Sequence, residues 1–285
     1  MNIVNKVLVG KDDWLFLTNA SNRVIDQITG DYKIPENFRD KWKALFDLRK
    51  LKSQEMKFSY VYSIIPNKEC VYSKELPANI KLSRHRPVFD VLAAAEGLAK
   101  TCYPLEILQE KMAYEDVYIR GDTHWNHRGA FYAYQEILNC AGVQCIDESA
   151  LKFENVQIDG DLSSKLGFKT ETVRGKILCP SFTCLENNNV PNIGHRVVYQ
   201  NSKKGLPSCV LFRDSFSTHM LEMYAQTFGR LVCLWQPNLD YSVIEAERPD
   251  VVLSQQAERF LVNCPNDLTG KTNTEYVAEK SQQRL

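Results

Sequence analysis

Two short segments of the sequence carry residue types that could do chemistry together. The first is DTHW at residues 122–125, in which a carboxylate stands two positions before an imidazole. If this segment is extended, Asp122 and His124 point to the same side, and the carboxylate can accept a hydrogen bond from one ring nitrogen. The second is FRDSFS at 212–217, in which Ser215 separates an apolar run from an amphipathic one. Serine, histidine and aspartate in this relation form the nucleophile, the general base and the orienting group of acyl-transfer catalysis.

Both segments lie where a predicted strand gives way to a predicted helix. The run SCVLF (208–212) predicts a strand that ends just before Ser215, and EDVYIR (115–120) predicts a short strand before DTHW. Asn126 is a suitable N-cap for the helix that follows DTHW. Ligands of open α/β sheets bind beyond the carboxyl ends of the strands, where helix N-termini supply N–H groups. We therefore expect the two segments to share one edge of a sheet, with first-turn N–H groups available to stabilise an oxyanion.

The remainder of the chain alternates apolar strands with amphipathic helices. Further strands are predicted at 58–66, 230–235 and 250–254, and helices at 35–52 (with Pro35 first), 86–100, 127–141, 216–228 and 241–247. This alternation predicts an α/β fold with a mainly parallel sheet flanked by helices. Residues 151–200 show short β-like runs broken by turns, which predicts a small β-rich insertion. We expect one domain over residues 1–270 and a polar, disordered tail at 271–285.

The bulk composition excludes some classes of protein. The 285 residues include 35 Lys plus Arg and 35 Asp plus Glu, so the formal net charge is zero. Nucleic-acid binders normally carry a basic excess, and no nucleic-acid partner is expected. The first residues lack the parts of a signal peptide, and no apolar run approaches the roughly 20 residues that cross a bilayer. We expect a cytoplasmic protein, or a periplasmic one if an N-terminal signal or anchor has been removed.

The cysteines could suggest a metal site. There are nine of them, an odd number, which without an export signal indicates reduced thiols. The pairs Cys140/Cys145 and Cys179/Cys184 have a spacing that zinc could use, but no histidine is near either pair. Buried small side chains are the favoured interpretation for most of the cysteines.

A second metal pattern overlaps the DTHW segment. Asp122, His124 and His127 spell D-x-H-x-x-H. His127, however, falls in the first turn of the predicted helix, and the sequence shows no further ligand cluster. We expect no metal, and we interpret His127 as a surface residue or a substrate contact.

Six blocks of the sequence, in this order, resemble one known family. They are GKDDWLFL (10–17), PNKECVY (66–72), DTHWNHRGA (122–130), GDLSSKLG (160–167), FRDSFS (212–217) and RPDVVLSQQAERFL (248–261). Over roughly residues 7–262 the chain is similar to the alginate O-acetyltransferase family of SGNH-hydrolase-like proteins, and the Asp-x-His-Trp and Asp-Ser-Phe motifs are the specific part. The resemblance implies a flavodoxin-like SGNH core and transfer of an acetyl group onto a polysaccharide hydroxyl by way of an acyl-serine.

The resemblance also assigns roles to individual residues. It implies Ser215 as the nucleophile, His124 as the general base and Asp122 as the group that orients the base. Arg213 and Asp214 are expected to shape the site. Further cleft residues are expected to be Trp125, Gly160, Asp161, His127 and Trp235. Trp125 is either a stacking platform for a pyranose ring or a packed core side chain.

The chain departs from the family pattern at three points. Arg213 stands where the SGNH pattern has glycine, and its cationic side chain could face an anionic donor or sugar. The Gly-x-Asn-Asp block that completes the SGNH oxyanion hole is absent from the sequence, so its donors are expected from the Ser215 amide and the 160–162 turn. Well-known polysaccharide acetylases of this type are exported and use a membrane-embedded acetyl-donor partner. A chain without an export signal would more simply use acetyl-CoA as co-substrate, with no cofactor.

Three functions are compatible with these residues. The first is an O-acetyltransferase acting on a bacterial surface polysaccharide or its precursor. The second is an acetyl-esterase on the same class of glycan, because only the acceptor, water or sugar, differs between the two reactions. The third is a carbohydrate-binding module that has kept the fold without catalysis, and the presence of all three triad residue types argues against it.

Overall fold

Three sheets and nine α-helices form the part of the chain that the structure, a computed structural model, describes: residues 3–282. In chain order the strands are β1 (Ile3–Val4), β2 (Val7–Val9), β3 (Leu15–Phe16), β4 (Ser59–Ile65), β5 (Lys100–Cys102), β6 (Leu151–Ile158), β7 (Thr170–Ile177), β8 (Phe182–Asn187), β9 (Arg196–Asn201), β10 (Ser208–Arg213), β11 (Arg230–Trp235) and β12 (Val251–Ala257). The α-helices are α1 (Val24–Thr29), α2 (Phe38–Met56), α3 (Lys68–Val71), α4 (Pro87–Ala95), α5 (Leu105–Lys111), α6 (His127–Ala141), α7 (Leu221–Thr227), α8 (Tyr241–Glu247) and α9 (Asn273–Gln282).

The central sheet has seven strands in the spatial order β5-β4-β12-β10-β11-β9-β8. The five strands from β5 to β11 are parallel, and β9 and β8 pair antiparallel at one edge. Parallel strands are normally covered on both faces, and β12 is buried at every position. The prediction of an α/β fold with a mainly parallel sheet is therefore confirmed.

Helices cover both faces of the central sheet. On one face α2 and α4 pack against side chains such as Tyr62, and Trp42 and Phe46 of α2 are buried there. On the opposite face α6 and α7 bury Tyr134 and Tyr224. Each large apolar side chain that leaves water contributes on the order of 1.5–3 kcal/mol to folding, so the two clusters hold the helices against the sheet.

The predicted strand at 115–120 is not part of the sheet. Its only pairing in the described range is a single bridge between Tyr118 and Trp125. Its backbone groups are satisfied by side chains and by nearby loop backbone. The Tyr72 hydroxyl accepts from the Val117 N–H, the Lys68 ammonium donates to the Ile119 carbonyl, and the Ile119 N–H donates to the His124 carbonyl. The sheet edge is formed by β5, whose three residues give too short a pattern to be predicted.

Two helix boundaries also differ from the prediction. Pro35 lies in a turn whose carbonyl accepts from the Phe38 N–H, and α2 begins only at Phe38. Helix α4 ends at Ala95 and not at 100, because Gly97 adopts a positive φ of 71° and redirects the chain into β5.

The region 151–200 is only partly the separate lobe that was predicted. Strands β6 and β7 do form a two-stranded sheet of their own. Strands β8 and β9 instead extend the central sheet, since β9 pairs with β11 from Arg230 to Leu234. Antiparallel addition to a free strand edge needs only backbone hydrogen bonds, which the alternation of side chains does not reveal.

The expectation of a disordered tail is corrected by α9. The helix starts with Thr272, whose N–H and hydroxyl both donate to the carboxylate of Glu275. The N–H of Asn273 donates to Asp240, and the Tyr276 hydroxyl donates to Asn238, so the helix is fixed to the loop before α8. The sequence predicted a tail because the segment is polar, and its stability comes from these capping contacts. Residues 283–285 lie outside the described part.

Candidate active site

The side chains of Ser215, His124 and Asp122 form one continuous hydrogen-bonded chain. The Ser215 Oγ and the His124 Nε2 are 2.7 Å apart, and the His124 Nδ1 and the Asp122 Oδ1 are also 2.7 Å apart. The second bond fixes which ring nitrogen faces the serine, because Nδ1–H donates to the carboxylate and Nε2 is left to accept. The structure thus brings together the three residues that the two sequence segments predicted.

The turn before α7 presents Ser215 at the end of β10. Ser215–His219 forms a 3-10 turn where the sequence predicted an α-helix starting at 216, and α7 follows it. Asp214 caps this turn by accepting from the Phe216 N–H at 3.0 Å, and its other oxygen accepts from the Ala257 N–H at the end of β12. Burial raises the pKa of Asp214, and these hydrogen bonds oppose that shift. Asp214 therefore fixes the position of Ser215 by joining its turn to the neighbouring strand.

The DTHW segment is a tight turn and not the extended strand end that was predicted. The Asp122 Oδ1 accepts from both the backbone N–H and the ring of His124, which folds residues 122–124 into a side-chain turn. The two side chains still face each other, as the sequence predicted, but the local hydrogen bond and not the period of a strand places them.

A second loop completes the surroundings of Asp122. The Asp161 N–H donates to the Asp122 Oδ2 at 2.8 Å, and Asp161 in turn accepts from the N–H and the hydroxyl of Thr123. Burial would raise the pKa of Asp122, but the hydrogen bonds from His124 and Asp161 lower it to about 2. The carboxylate is therefore ionised at neutral pH. Gly160 allows this approach, because a Cβ there would lie 2.3 Å from the Gly121 carbonyl oxygen.

Lys68 holds the other side of the same loop, and no role was predicted for it from the sequence. Its Nζ donates to the carbonyl oxygens of Ile119, Arg120 and Asp122, the last at 2.6 Å. Burial lowers its pKa to about 8, so the ammonium remains protonated at neutral pH. The only signal for Lys68 in the sequence is its place in the PNKECVY block, because the contacts link residues about fifty positions apart.

Trp125 is a core residue, and the interpretation as a stacking platform for sugar is wrong. Its side chain is 0% exposed, and its indole N–H donates to the Phe216 carbonyl oxygen. The ring also packs edge-on against Phe216 at 5.2 Å. A ring without accessible surface cannot meet a ligand, and Trp125 instead joins the loop of His124 to the turn of Ser215.

His127 and His219 stack beside the triad. Their ring centroids are 4.5 Å apart, and His219 lies 6.4 Å from the ring of His124. Burial and the neighbouring positive charges lower the pKa of His127 to about 3 and that of His219 to about 4. Both rings are therefore neutral at neutral pH. His127 lines a groove that is also bordered by β7.

Arg213 stacks against the ring of Trp235. Its guanidinium carbon is 4.5 Å from the centre of the Trp235 ring, and Nη2 contacts the His195 ring at 2.8 Å. Among residues 3–282 Arg213 forms no ion pair with a carboxylate, and burial lowers its pKa. Arg213 and Trp235 both line a cavity of about 410 Å3 at the strand ends, as does Asp214.

The predicted oxyanion donors are only partly free. The N–H of Asp161 donates to Asp122, and the N–H of Leu162 donates to the Gly121 carbonyl, so the 160–162 turn has already committed both. The Ser215 N–H is the first of its turn, and such groups have no partner within the turn itself. Of the donors expected from the sequence, the Ser215 amide is thus the one that fits.

The ligand atoms of Asp122, His124 and Asp161 lie within 4.8 Å of one another, a spacing that could suit a metal ion. Both carboxylates, however, already accept short hydrogen bonds from the loop, at 2.7 and 2.8 Å for Asp122 and at 2.5 and 2.7 Å for Asp161. A metal would have to displace these donors, so the donor set fits a hydrogen-bonded triad better than a cation.

The cysteines divide by position. Cys70, Cys102, Cys209 and Cys233 are buried, whereas Cys140, Cys145 and Cys264 are partly buried and Cys179 and Cys184 are exposed. Four of the nine cysteines are fully buried, so the expectation that most of them are buried is wrong. The exposed pair lies on and beside β8 at the sheet edge, a strand that the sequence did not place there.

The helices in the described part include none long and apolar enough to cross a membrane. The parallel sheet flanked by helices, with a serine–histidine–aspartate chain beyond the strand ends, defines an α/β protein of the SGNH hydrolase-like class. A protein-family model described as "SGNH hydrolase-like domain, acetyltransferase AlgX" matches residues 7–174. The match covers more than half of the chain, and the chain belongs to this family. It includes Asp122 and His124 and ends before Ser215.

One relative has a known name. The protein "Probable alginate O-acetylase AlgJ" of Pseudomonas fluorescens is 28% identical over 139 residues, which are 46% of this chain and 32% of that protein. The chain therefore matches about a third of the length of this relative.

Solved structures share the fold over nearly the whole chain. PatB1 of Bacillus cereus, with a sulfonyl adduct, has a TM-score of 0.71 at 16% identity and covers 93% of this chain and 97% of its own. A DHHW family protein from Eubacterium siraeum has a TM-score of 0.67 at 12% identity, over 98% and 96%. The O-acetyltransferase domain of Pseudomonas putida AlgJ has a TM-score of 0.60 at 19% identity, over 97% and 99%.

Proposed function

We propose that this chain is a serine-dependent O-acetyltransferase that moves an acetyl group onto a hydroxyl of a polysaccharide. The observation that carries the proposal is the unbroken chain from Ser215 through His124 to Asp122, with 2.7 Å between partners at each step. Membership of the acetyltransferase family and the name of the AlgJ relative support the choice of acetyl and of a glycan acceptor.

The first half-reaction forms an acyl-serine. His124 Nε2 accepts the Ser215 proton while Oγ attacks the carbonyl carbon of the acetyl donor. The tetrahedral intermediate has a negatively charged oxygen, and in this mechanism the Ser215 N–H stabilises it. As the intermediate collapses, the bond from carbonyl carbon to leaving group breaks, and the proton on His124 passes to the leaving group.

The second half-reaction transfers the acetyl group. A sugar hydroxyl gives its proton to His124 and attacks the acyl-serine, and collapse of the new intermediate returns the proton to the Ser215 Oγ. In both halves the imidazolium is stabilised by Asp122, whose low pKa keeps it ionised throughout. The net reaction exchanges one ester or thioester for a sugar ester without any redox step.

Esterase activity is a second candidate, and the exposure of the base favours it. The His124 side chain is 21% exposed, so water as well as a sugar can approach the position that the attacking hydroxyl needs. Hydrolysis uses the same residues with water as acceptor. The balance between the two reactions depends on how completely a bound glycan excludes water from the cleft.

Acylation of Ser215 can be tested directly. We expect wild type to release p-nitrophenol from p-nitrophenyl acetate and to gain one acetyl group by mass spectrometry, and Ser215→Ala to do neither. Ser217→Ala is the matched control, because Ser217 lies two residues away and is fully buried. Acetyl-CoA tested as donor, with oligosaccharides as acceptors, then separates transfer from hydrolysis. Equal background rates in all three proteins, with no adduct, would contradict the proposal and favour a glycan-binding protein.

A further inference from the structure

The guanidinium of Arg213 is buried at the end of β10 and has only uncharged partners. Its Nη1 donates to the Asp214 carbonyl oxygen at 3.0 Å and to the Thr218 hydroxyl at 3.2 Å. Its Nη2 donates to the His195 Nδ1 at 2.8 Å, and the ring of Trp235 covers it at 4.5 Å. Among residues 3–282 no carboxylate forms an ion pair with it. Arginine remains protonated in proteins, so a positive charge without a paired negative charge lies immediately before the nucleophile turn.

His195 fixes the direction in which the guanidinium points. Its Nε2 lies 3.0 Å from the Oδ1 of Asn187, which is an acceptor, so the ring proton is on Nε2 and Nδ1 accepts from Arg213. Burial and the positive charge of Arg213 lower the pKa of His195, so the ring is neutral at neutral pH. With Nη2 held in this way, Nη1 is directed at the backbone before Ser215.

The carbonyl group that Arg213 contacts belongs to the peptide group between Asp214 and Ser215. This peptide is trans, so its oxygen and its N–H point in opposite directions. Arg213 therefore bonds to one end of the peptide group, and the Ser215 N–H at the other end faces away from the guanidinium. That N–H is the expected oxyanion donor, since its place at the first residue of the turn leaves it without a partner in the turn.

A cation bonded to a peptide oxygen strengthens the N–H of the same peptide group. Resonance gives the C–N bond partial double-bond character, and a positive charge at the oxygen favours the form in which the nitrogen is positive. Hydrogen bonds in series polarise one another, and a bond from a charged donor is about twice as strong as a neutral one. A carboxylate paired with the guanidinium would cancel much of this effect, and Arg213 has no such partner among residues 3–282.

We propose that Arg213 is a positioning residue that orients the peptide group between Asp214 and Ser215 and strengthens its N–H as the oxyanion donor. The inference rests on the proposed acetyl transfer at Ser215 and adds the residue that supports its oxyanion hole. The second bond of Nη1, to the Thr218 hydroxyl, joins the start of the turn to its fourth residue and opposes rotation of the peptide group. A glycine, which the SGNH pattern has in place of Arg213, would leave the Asp214 oxygen without this donor.

The kinetic test removes the charge of Arg213. Loss of a complete oxyanion donor costs about 10²- to 10³-fold in kcat, and for the weakened donor of Arg213→Met we expect about 10- to 100-fold with p-nitrophenyl acetate. KM should change less than about threefold, because the oxyanion exists only in the transition state and intermediate. Arg213→Lys keeps a charged donor and should lose no more than about tenfold. Arg213→Gln, which also removes the charge, is the second variant if the methionine protein does not fold.

Arg230→Met is the matched control. Arg230 begins β11 at the opposite end of the parallel strands and gives up two hydrogen bonds to Glu247 when it is replaced. We expect it to lower the melting temperature and to leave kcat unchanged.

The peptide group can also be observed without any reaction. Asp214 and Ser215 form the only Asp-Ser pair in the sequence, so protein with 13C-labelled aspartate carbonyls and 15N-labelled serine gives a single carbonyl-to-amide NMR signal. Loss of the hydrogen bond in Arg213→Met should move the Asp214 carbonyl carbon and the Ser215 amide proton upfield. Arg213→Lys should leave both near their wild-type positions, and Arg230→Met should not move them.

The outcomes separate this inference from the proposed function. An unmoved signal in Arg213→Met, or a loss of kcat no larger than that of Arg230→Met, would overturn the role of Arg213 even if Ser215 is acetylated normally. A moved signal and a reduced kcat, both recovered by Arg213→Lys, would support it. A wild type without acetyl-serine would remove the transferase and this role with it, whether or not the signal moves.

Discussion

The loop that carries Asp122 and His124 contacts Ser215, and the cavity at the strand ends is lined by Asp214, the residue before it. The two regions differ in how their polar groups are partnered. In the loop, Asp122 accepts from His124 and Asp161, Thr123 bonds to Asp161, and Lys68 bonds to three carbonyls. In the cavity, Gln255 has no partner at either polar atom among residues 3–282.

The difference has consequences for movement and for stability. The proposed base must meet its proton at a fixed distance in every cycle, and complete pairing of the loop prevents movement before substrate arrives. The unpaired amide of Gln255 gains no hydrogen bond in return for its burial, and this costs stability. The stability of the loop and of the cavity should therefore respond in opposite ways to loss of a polar group.

The largest effect is expected at the centre of the fully paired loop, at His124. His124→Ala removes the proposed base, which contacts Ser215, and we expect kcat/KM for p-nitrophenyl acetate to fall about 10³- to 10⁴-fold. His219→Ala is the control, because His219 is a close neighbour whose ring contacts the Trp125 carbonyl oxygen and not the serine. We expect it to retain activity within about tenfold of wild type. Similar losses in both variants would show that packing, and not proton transfer, governs the site.

Lys68→Met tests whether the hydrogen bonds of Lys68 are needed to keep the loop of Asp122 and His124 in position. The substitution removes one donor from each of three carbonyl oxygens and leaves that of Asp122 with none among residues 3–282. We expect a loss of about 2–3 kcal/mol in the free energy of unfolding together with about 10- to 100-fold in kcat. Urea unfolding and steady-state kinetics measure the two effects. Lys50→Met is the matched control, since Lys50 is an exposed lysine that bonds to one carbonyl. Full kcat in a destabilised Lys68→Met protein would refute the positioning role.

His127→Phe tests the buried histidine pair through pH. The folded-state pKa of His127 is about 3, below the ordinary value of 6.5, so the unfolded chain binds more protons as the pH falls from 6.5 towards 4. Wild type should therefore lose stability over this window, and phenylalanine should reduce that loss by about 1–2 kcal/mol after allowance for partial exposure. Urea unfolding at pH 4.5 and 6.5 measures the change, with the exposed His85→Phe as control. Equal pH dependence in wild type and His127→Phe would show that His127 is protonated in the fold.

The smallest effect compares one paired and one unpaired hydroxyl. Thr123→Val removes the 2.5 Å bond to Asp161 and should cost about 1 kcal/mol of unfolding free energy. Ser217→Ala removes a buried hydroxyl that has no partner within residues 3–282 and should be neutral or stabilising by a few tenths of a kcal/mol. Thermal or urea unfolding of both variants measures the two changes in stability. Equal losses would mean that Ser217 is hydrogen-bonded in solution.

Local patterns in the sequence predicted much of this site. Asn126 caps α6 with bonds to the N–H groups of Arg128 and Gly129, and the apolar run before Ser215 is β10. Asp122 and His124 lie two positions apart, so their meeting requires little from the rest of the fold. These features depend on hydrogen bonds and side-chain periods within a few residues, which a single sequence displays.

Features that depend on distant parts of the chain were missed or misassigned. Lys68 reaches a carbonyl 54 positions away, and the indole N–H of the buried Trp125 reaches a carbonyl 91 positions away. The edge position of β8 and β9 follows from backbone pairing with β11, which side-chain patterns do not encode. In the sequence, Gln255 is one more polar residue near a strand end. Only the packed structure shows that its side-chain amide lacks a hydrogen-bond partner among residues 3–282.

The place of β12 between β4 and β10 has a consequence for how the protein is made. The Tyr62 and Gln256 side chains that pair across this junction are 194 positions apart, so β12, an inner strand of the sheet, leaves the ribosome long after β4. At ordinary rates of translation, about 10–40 s pass between the synthesis of β4 and that of β12, and during this time the edge of β4 is uncovered. Expression should therefore depend on chaperone capacity and on the speed of synthesis, and slower growth at low temperature should increase the yield of soluble protein.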